Sequence, residues 1–213
     1  MELTPIYFLK IKEFFILLSL VRNMSEDNNL VKFKSELIPE EEANVLKEIE
    51  DILEGSLRIS KERLGYFDKF TVYIQNNTTT ELNIVECRLQ TLPPSIGDLK
   101  GLKQLDLSFD SLMYLPDSIG ELKKLEWLML TDNKLKKLPD SIGNLTKLKK
   151  LELGSNNLMK LPSSIIQLKS LQSLDIHGNP LLDQIDTDLE LNDILQKLED
   201  KDVEIIKKPL FSF

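Results

Sequence analysis

Two residue types that carry nucleophilic and acid–base chemistry occur once each among the 213 residues: Cys87 and His177. Together they would make a thiolate and its general base. They lie ninety positions apart, and no local motif joins them. A protein metal site takes three or four Cys, His or carboxylate ligands, so one Cys and one His make no cluster. The zinc-protease H-E-x-x-H signature needs two histidines, and the chain has one. Phosphate-loop (G-x-x-x-x-G-K-[ST]) and nucleophile-elbow (G-x-S-x-G) motifs are absent. His177 follows Asp175 by two residues, which reads as a pair on an outward strand face. The expectation is no enzyme, no cofactor and no metal.

The same counts bear on setting and partners. A lone cysteine forms no intramolecular disulfide, which favours an intracellular, cytoplasmic protein. The formal net charge is −8. Non-specific nucleic-acid binding needs a basic surface to displace counterions, so no nucleic-acid partner is expected. Residues 24–78 carry 7 basic and 12 acidic side chains, and 184–213 carry 4 and 8. Residues 92–183 carry 12 and 11, so the middle is a different kind of unit from its flanks.

What positions these side chains is a repeat. Leu-Pro recurs at Leu92-Pro93, Leu115-Pro116, Leu138-Pro139 and Leu161-Pro162, at a spacing of 23 residues. The units read LPPSIGDLKGLKQLDLSFDSLMY, LPDSIGELKKLEWLMLTDNKLKK, LPDSIGNLTKLKKLELGSNNLMK and LPSSIIQLKSLQSLDIHGNPLLD. A partial unit, TTTELNIVECRLQT, precedes them from Thr78. Each L-x-L is a short strand that cannot bury its leucines alone, and stacked strands form a parallel sheet over a continuous core. Leu82, Leu105, Leu128, Leu151 and Leu174 make one core layer, and Ile84, Leu107, Leu130, Leu153 and Ile176 the next. The segment from Leu-Pro through Ile119, Leu122 and Leu125 suits a short helical or 3₁₀ turn on the opposite side.

A turn column follows each strand: Cys87, Asp110, Asn133, Asn156, Asn179. An asparagine there can satisfy backbone groups of adjacent turns that are otherwise buried without partners. Cys87 reads as a ladder residue rather than a reactive thiol. Asp110 accepts but does not donate when ionised, so a less regular turn is expected in its unit.

Outward strand positions form columns about 5 Å apart on the concave face. Trp127, the single tryptophan, and Met129 fall at the centre of a mostly acidic surface. Central apolar residues ringed by polar ones make a protein-binding hot spot. The candidate partner-binding set is Asp106, Phe109, Trp127, Met129, Thr131, Asp132, Lys150, Glu152, Asp175 and His177. Trp127 can equally lie over Gln104 and the stem of Lys150.

Open solenoid ends expose core and need caps. Four segments are expected: 1–23, an N-terminal cap at 24–77, repeats at 78–183 and a C-terminal cap at 184–213. In the first cap, Pro39 opens a helix with Val45, Leu46, Ile49, Ile52 and Leu53 on one face. Two strands then flank the turn pair Asn76-Asn77. In the last, Leu189, Ile194, Leu195 and Leu198 suggest a helix from about Asp188 to Glu199, with Val203–Lys207 adding a strand. Segment 1–23 contains FFILLSLV, shorter than the ~20 residues of a membrane helix and without a small-x-small cleavage site. It reads as a helix packed on the domain or on a membrane surface, as a weak export signal, or as an extension upstream of Met24. A short capped solenoid is expected to be a monomer.

The units resemble the 23-residue LPxxIGxLxxLxxLxLxxNxL class of leucine-rich repeats, as in Ras-group-related eukaryotic proteins and many bacterial and archaeal ones. The resemblance covers 78–183, about half the chain. It implies an α/β solenoid with its parallel sheet on the concave side, and a role in protein–protein interaction as an adaptor or signalling regulator. A small GTPase or another signalling protein is the kind of partner implied. A membrane-associated or exported repeat protein, using residues 1–23, is the alternative.

Overall fold

The computed structural model describes residues 30–62 and 69–208. The apolar segment 1–23, and with it the readings of it as an anchor, signal or extension, lies outside the described residues. Among these, the chain opens with an antiparallel pair, β1 (Leu30–Phe33) and β2 (Glu36–Pro39), followed by helix α1 (Glu40–Ile52). Three glutamates fill the first turn of α1, at the positive end of the helix dipole. Its buried face is Glu42, Ala43, Val45, Leu46 and Ile49, whereas Ile52, its last residue, is 43% exposed.

One eight-stranded sheet then runs through the molecule in the order β3 (Arg58–Ser60), β4 (Thr71–Gln75), β5 (Thr78–Asn83), β6 (Gln104–Asp106), β7 (Trp127–Met129), β8 (Lys150–Glu152), β9 (Ser173–Asp175), β10 (Glu204–Ile206). Only β4–β5 is antiparallel. Their hairpin turns at Asn76 and Asn77, both in the left-handed region (φ 51° and 61°), which asparagine tolerates. From β5 to β9 the register repeats every 23 residues, pairing Leu82, Leu105, Leu128, Leu151 and Leu174 in one line. All five are fully buried.

Behind each strand lies a 3₁₀ turn: Pro94–Asp98, Asp117–Glu121, Asp140–Asn144, Ser163–Gln167. These turns stack so closely that glycine is required. A Cβ on Gly120 would sit 2.5 Å from the Ser141 carbonyl oxygen, and one on Gly97 2.6 Å from that of Ser118. Gly143 meets Ser164 in the same way. Ile166 occupies this column in the last unit because no further 3₁₀ turn stacks on it. Helix α2 (Leu189–Glu199) follows there, and the Lys201 ammonium reaches the Ile166 carbonyl. Asp188 caps α2 by accepting from the Leu191 N–H at 3.0 Å. The apolar face of α2 is Leu191, Ile194, Leu195 and Leu198. Leu189, expected on that face, is 83% exposed because it precedes the first packed turn.

At the other end, buried Glu42 of α1 accepts from the Thr79 N–H of β5 at 2.7 Å, fixing the helix to the first repeat strand. Burial pushes the Glu42 carboxyl above its ordinary range despite that bond.

Candidate functional site: the concave face and its ladder

The ladder is built from side-chain amides. Asn133 Oδ1 accepts from Leu112 N (2.9 Å), and its Nδ2 donates to Leu107 O (2.7 Å) and Leu130 O (3.2 Å). Asn156 and Asn179 repeat this pattern one and two units on. Asp110 reproduces the accepting half, with Oδ1 taking Cys87 N and Leu89 N, both at 2.9 Å. Its other oxygen, Oδ2, is buried without a hydrogen-bond partner, where each asparagine places a donor. Burial drives the Asp110 carboxyl up to about 6, partly offset by the N–H groups of Leu89, Cys87 and Arg88.

The expected irregular turn in Asp110's unit is not found. Phe109 (φ 61°), Asp132 (φ 54°) and Ser155 (φ 53°) share one left-handed conformation, and Asp110's own turn is held by the next unit, where Asn133 Oδ1 accepts from Leu112 N. The turn that departs is that of Cys87, where Arg88 adds a second left-handed residue (φ 62°). Cys87 is half-buried, its thiol donates to Val85 O at 3.3 Å, and burial raises its pKa, so thiolate chemistry is disfavoured.

On the concave side, register aligns Gln104, Trp127, Lys150 and Ser173, then Asp106, Met129, Glu152 and Asp175. Two residues expected to face a partner do not. Met129 and Asp106 are each 2% exposed. Strand columns only ~5 Å apart leave Met129 enclosed between Asp106 and Glu152. The Asp106 carboxylate folds back on its own strand to accept Ser108 N at 3.0 Å. Its pKa is raised, again by burial. Glu81, Asn83, Val85, Gln104 and Ser108 are buried too, so the N-terminal half of the face is closed and the half from Trp127 onward is accessible.

Trp127 is 38% exposed. It borders a depression with Tyr73, Glu81, Lys103, Gln104 and Glu126. Tyr73 was missed from the sequence. It pairs with Glu81 across the hairpin and so extends the Trp127 column by one strand. Alternation counted back from Asn76-Asn77 would have found it, but a bulge between Tyr73 and Ile74 shifts that count. Around the indole stand the ion pairs Lys149–Glu126 (2.7 Å) and Lys150–Glu152 (2.5 Å). The Lys149 bond lowers the Glu126 pKa.

Phe109 is 52% exposed but does not join Trp127. It lies five positions beyond Gln104, the residue paired with Trp127, hence roughly 15 Å along the strand direction. Thr131 is half-buried and Asp132 exposed between these two ends.

His177 is held at the far end. Its Nδ1 lies 2.7 Å from Asp175 Oδ1, and its Nε2 3.4 Å from Ser155 Oγ. The ring lies over Gly154, where a Cβ would overlap it. The Ser155–His177–Asp175 order matches a hydrolase relay, but the nucleophile's own N–H, one oxyanion donor in such sites, is bonded to His177 O at 2.8 Å. The arrangement therefore orients an imidazole rather than builds an acyl-transfer site. Among the described residues, no cluster of three His, Cys, Asp or Glu side chains can hold a metal, and no helix is long and apolar enough to cross a membrane.

Known proteins match the same repeats. Residues 81–155 fit the family model "Leucine-rich repeat region", and residues 170–192 fit "Leucine Rich Repeat". No curated protein sequence matches. A leucine-rich repeat protein of Leptospira interrogans is 37% identical over 64% of this chain, with a TM-score of 0.50. The matched part spans 31% of that protein's length. The leucine-rich repeat ectodomain of the receptor kinase SOBIR1 from Arabidopsis thaliana shares the fold at 24% identity, covering 67% of this chain and 81% of that one (TM-score 0.51). The structure of PEPR1–AtPEP1 matches 64% of this chain and 21% of its own at 26% identity (TM-score 0.50). With the 23-residue register, the asparagine ladder and these matches, the chain is a leucine-rich repeat protein with an α/β solenoid fold.

Proposed function

We propose that the accessible half of the concave face docks another protein, and that the chain is a non-catalytic adaptor or signalling regulator acting as a monomer in the cytoplasm. Leucine-rich repeats generally mediate protein–protein interaction. The observation that carries the reading is Trp127: an exposed indole in a column with Tyr73, with ion pairs formed by its chain neighbour Glu126 and its strand partner Lys150. Lys150, Glu152, Asp175 and His177 extend the surface, and Thr131, Asp132 and Phe109 form its far side. The acidic balance of Glu152, Asp175 and Asp132 favours a partner with basic side chains around an apolar anchor. A small GTPase or another signalling protein is the class proposed.

The test is affinity for a purified partner, with Trp127→Ala beside the wild type and thermal melting as the folding control. A loss of roughly tenfold or more with unchanged melting supports the site. Equal affinity removes Trp127 from it.

A further inference from the structure

A second surface lies on the flank where the chain descends from the ladder to each Leu-Pro pair. Here three successive units read YLPD, KLPD and KLPS, from Tyr114, Lys137 and Lys160, and stacking turns those letters into parallel rows. Tyr114, Lys137 and Lys160 make one row along a groove, and Asp117 and Asp140 make a second, on the other side of the Leu-Pro pairs in chain order. The buried leucines and half-buried prolines of the Leu-Pro columns lie between the two rows, and Glu190 of the C-terminal helix also lines the groove. The groove encloses about 690 Å³, within the range of sites that bind small ligands or several side chains.

Its charges are uncommitted. Lys137, Lys160, Asp117 and Asp140 are exposed, and none forms an ion pair or side-chain hydrogen bond with a described residue. The two rows flank the Leu-Pro columns, and no ion pair joins one to the other. A ligand that complements both must offer negative charge on one side and positive charge on the other. An extended peptide does so when its residues alternate in sign, because successive side chains point to opposite sides.

We propose that this groove binds an extended segment of a partner protein with alternating acidic and basic side chains, the acids toward Lys137 and Lys160 and the bases toward Asp117 and Asp140. The site is separate from the concave face and does not depend on it.

The probes are fluorescein-labelled octapeptides, one of alternating Glu and Lys and one with the same residues in like-charged pairs. The pairs put both signs on each side of an extended chain, while net charge and composition stay the same. Anisotropy is measured at low ionic strength, where surface pairs are least screened. The alternating peptide is expected to bind the wild type roughly tenfold tighter than the paired one. Lys137→Glu with Lys160→Glu makes both rows acidic. That variant, checked for folding by circular dichroism, is expected to lose the alternating peptide and to gain an all-lysine one. Trp127→Ala is expected to bind as the wild type does. Equal binding of the two peptides, no binding of either, retention by the double variant, or loss on Trp127→Ala overturns the proposal.

Discussion

Asp110 differs from Asn133 by one atom type, and that atom has a calculable effect. Its Oδ2 is buried where the asparagines donate, so ionisation leaves a charge that the N–H groups at Oδ1 offset only in part. The folded-state pKa, about 6, lies above the ordinary 3.8. The folded protein therefore holds this proton more tightly, and stability grows as pH falls from 6 toward 4 and is lost as pH rises through 6. Asp110→Asn restores the donor. It is expected to raise stability at pH 7.5 by about 1–3 kcal/mol and to gain less at pH 4.5, as read from urea melts. A destabilised variant at pH 7.5 would contradict this account of Oδ2. Phe109 carries the opposite kind of cost: a bulky side chain in a left-handed turn, half exposed. Phe109→Gly is expected to stabilise the fold by roughly 0.5–1 kcal/mol in thermal melts, since glycine takes φ > 0 freely. At this scale the sequence was partly legible. The two-residue alternation gives the side of the sheet for Met129 and Asp106, but exposure depends on how tightly neighbouring columns close, which no single strand records.

The repeat unit is where the letters speak most directly. Leu-x-Leu, Asn and Leu-Pro each name one backbone task, and register, ladder and turn follow from them. The glycine column is legible only once the stack is known. Gly97, Gly120 and Gly143 look like sites of bending, but what they provide is the close approach of the next turn's Ser118, Ser141 and Ser164. Ile166 then marks the last turn in the stack. Gly120→Ala is expected to cost about 1–3 kcal/mol in denaturant melts, because the Ser141 carbonyl is backbone and cannot swing aside. Ile166→Ala should cost only the contacts of a half-buried side chain. The cap elements were less legible. Glu42 sits among charged neighbours in the sequence, yet it is 4% exposed and bonded to Thr79 N–H, because the helix packs on a strand end that offers a free donor.

As a whole, the molecule is a one-dimensional stack in which each unit rests on its neighbours and the ends rest on caps. Leu198 of the C-terminal helix is fully buried. Leu198→Ala is expected to cost about 2–5 kcal/mol, and hydrogen exchange should quicken first in residues 161–183, next to the weakened cap, rather than evenly. On the concave face the outward residues of the first two repeat strands are buried, whereas Trp127, Lys150, Glu152 and Asp175 are at least partly exposed, a division that no residue pattern records. The central claim is that Trp127 anchors a protein partner there. As the chain's single tryptophan, it reports on its own contact through its fluorescence. The deciding measurement is a titration of purified partner into the wild type followed at the indole, with calorimetry of Trp127→Ala alongside. A partner seated on the indole gives a blue-shifted emission on binding and roughly tenfold or greater weakening in the variant at unchanged melting temperature. An emission spectrum that does not move at saturation, with equal affinity of the variant, would contradict it.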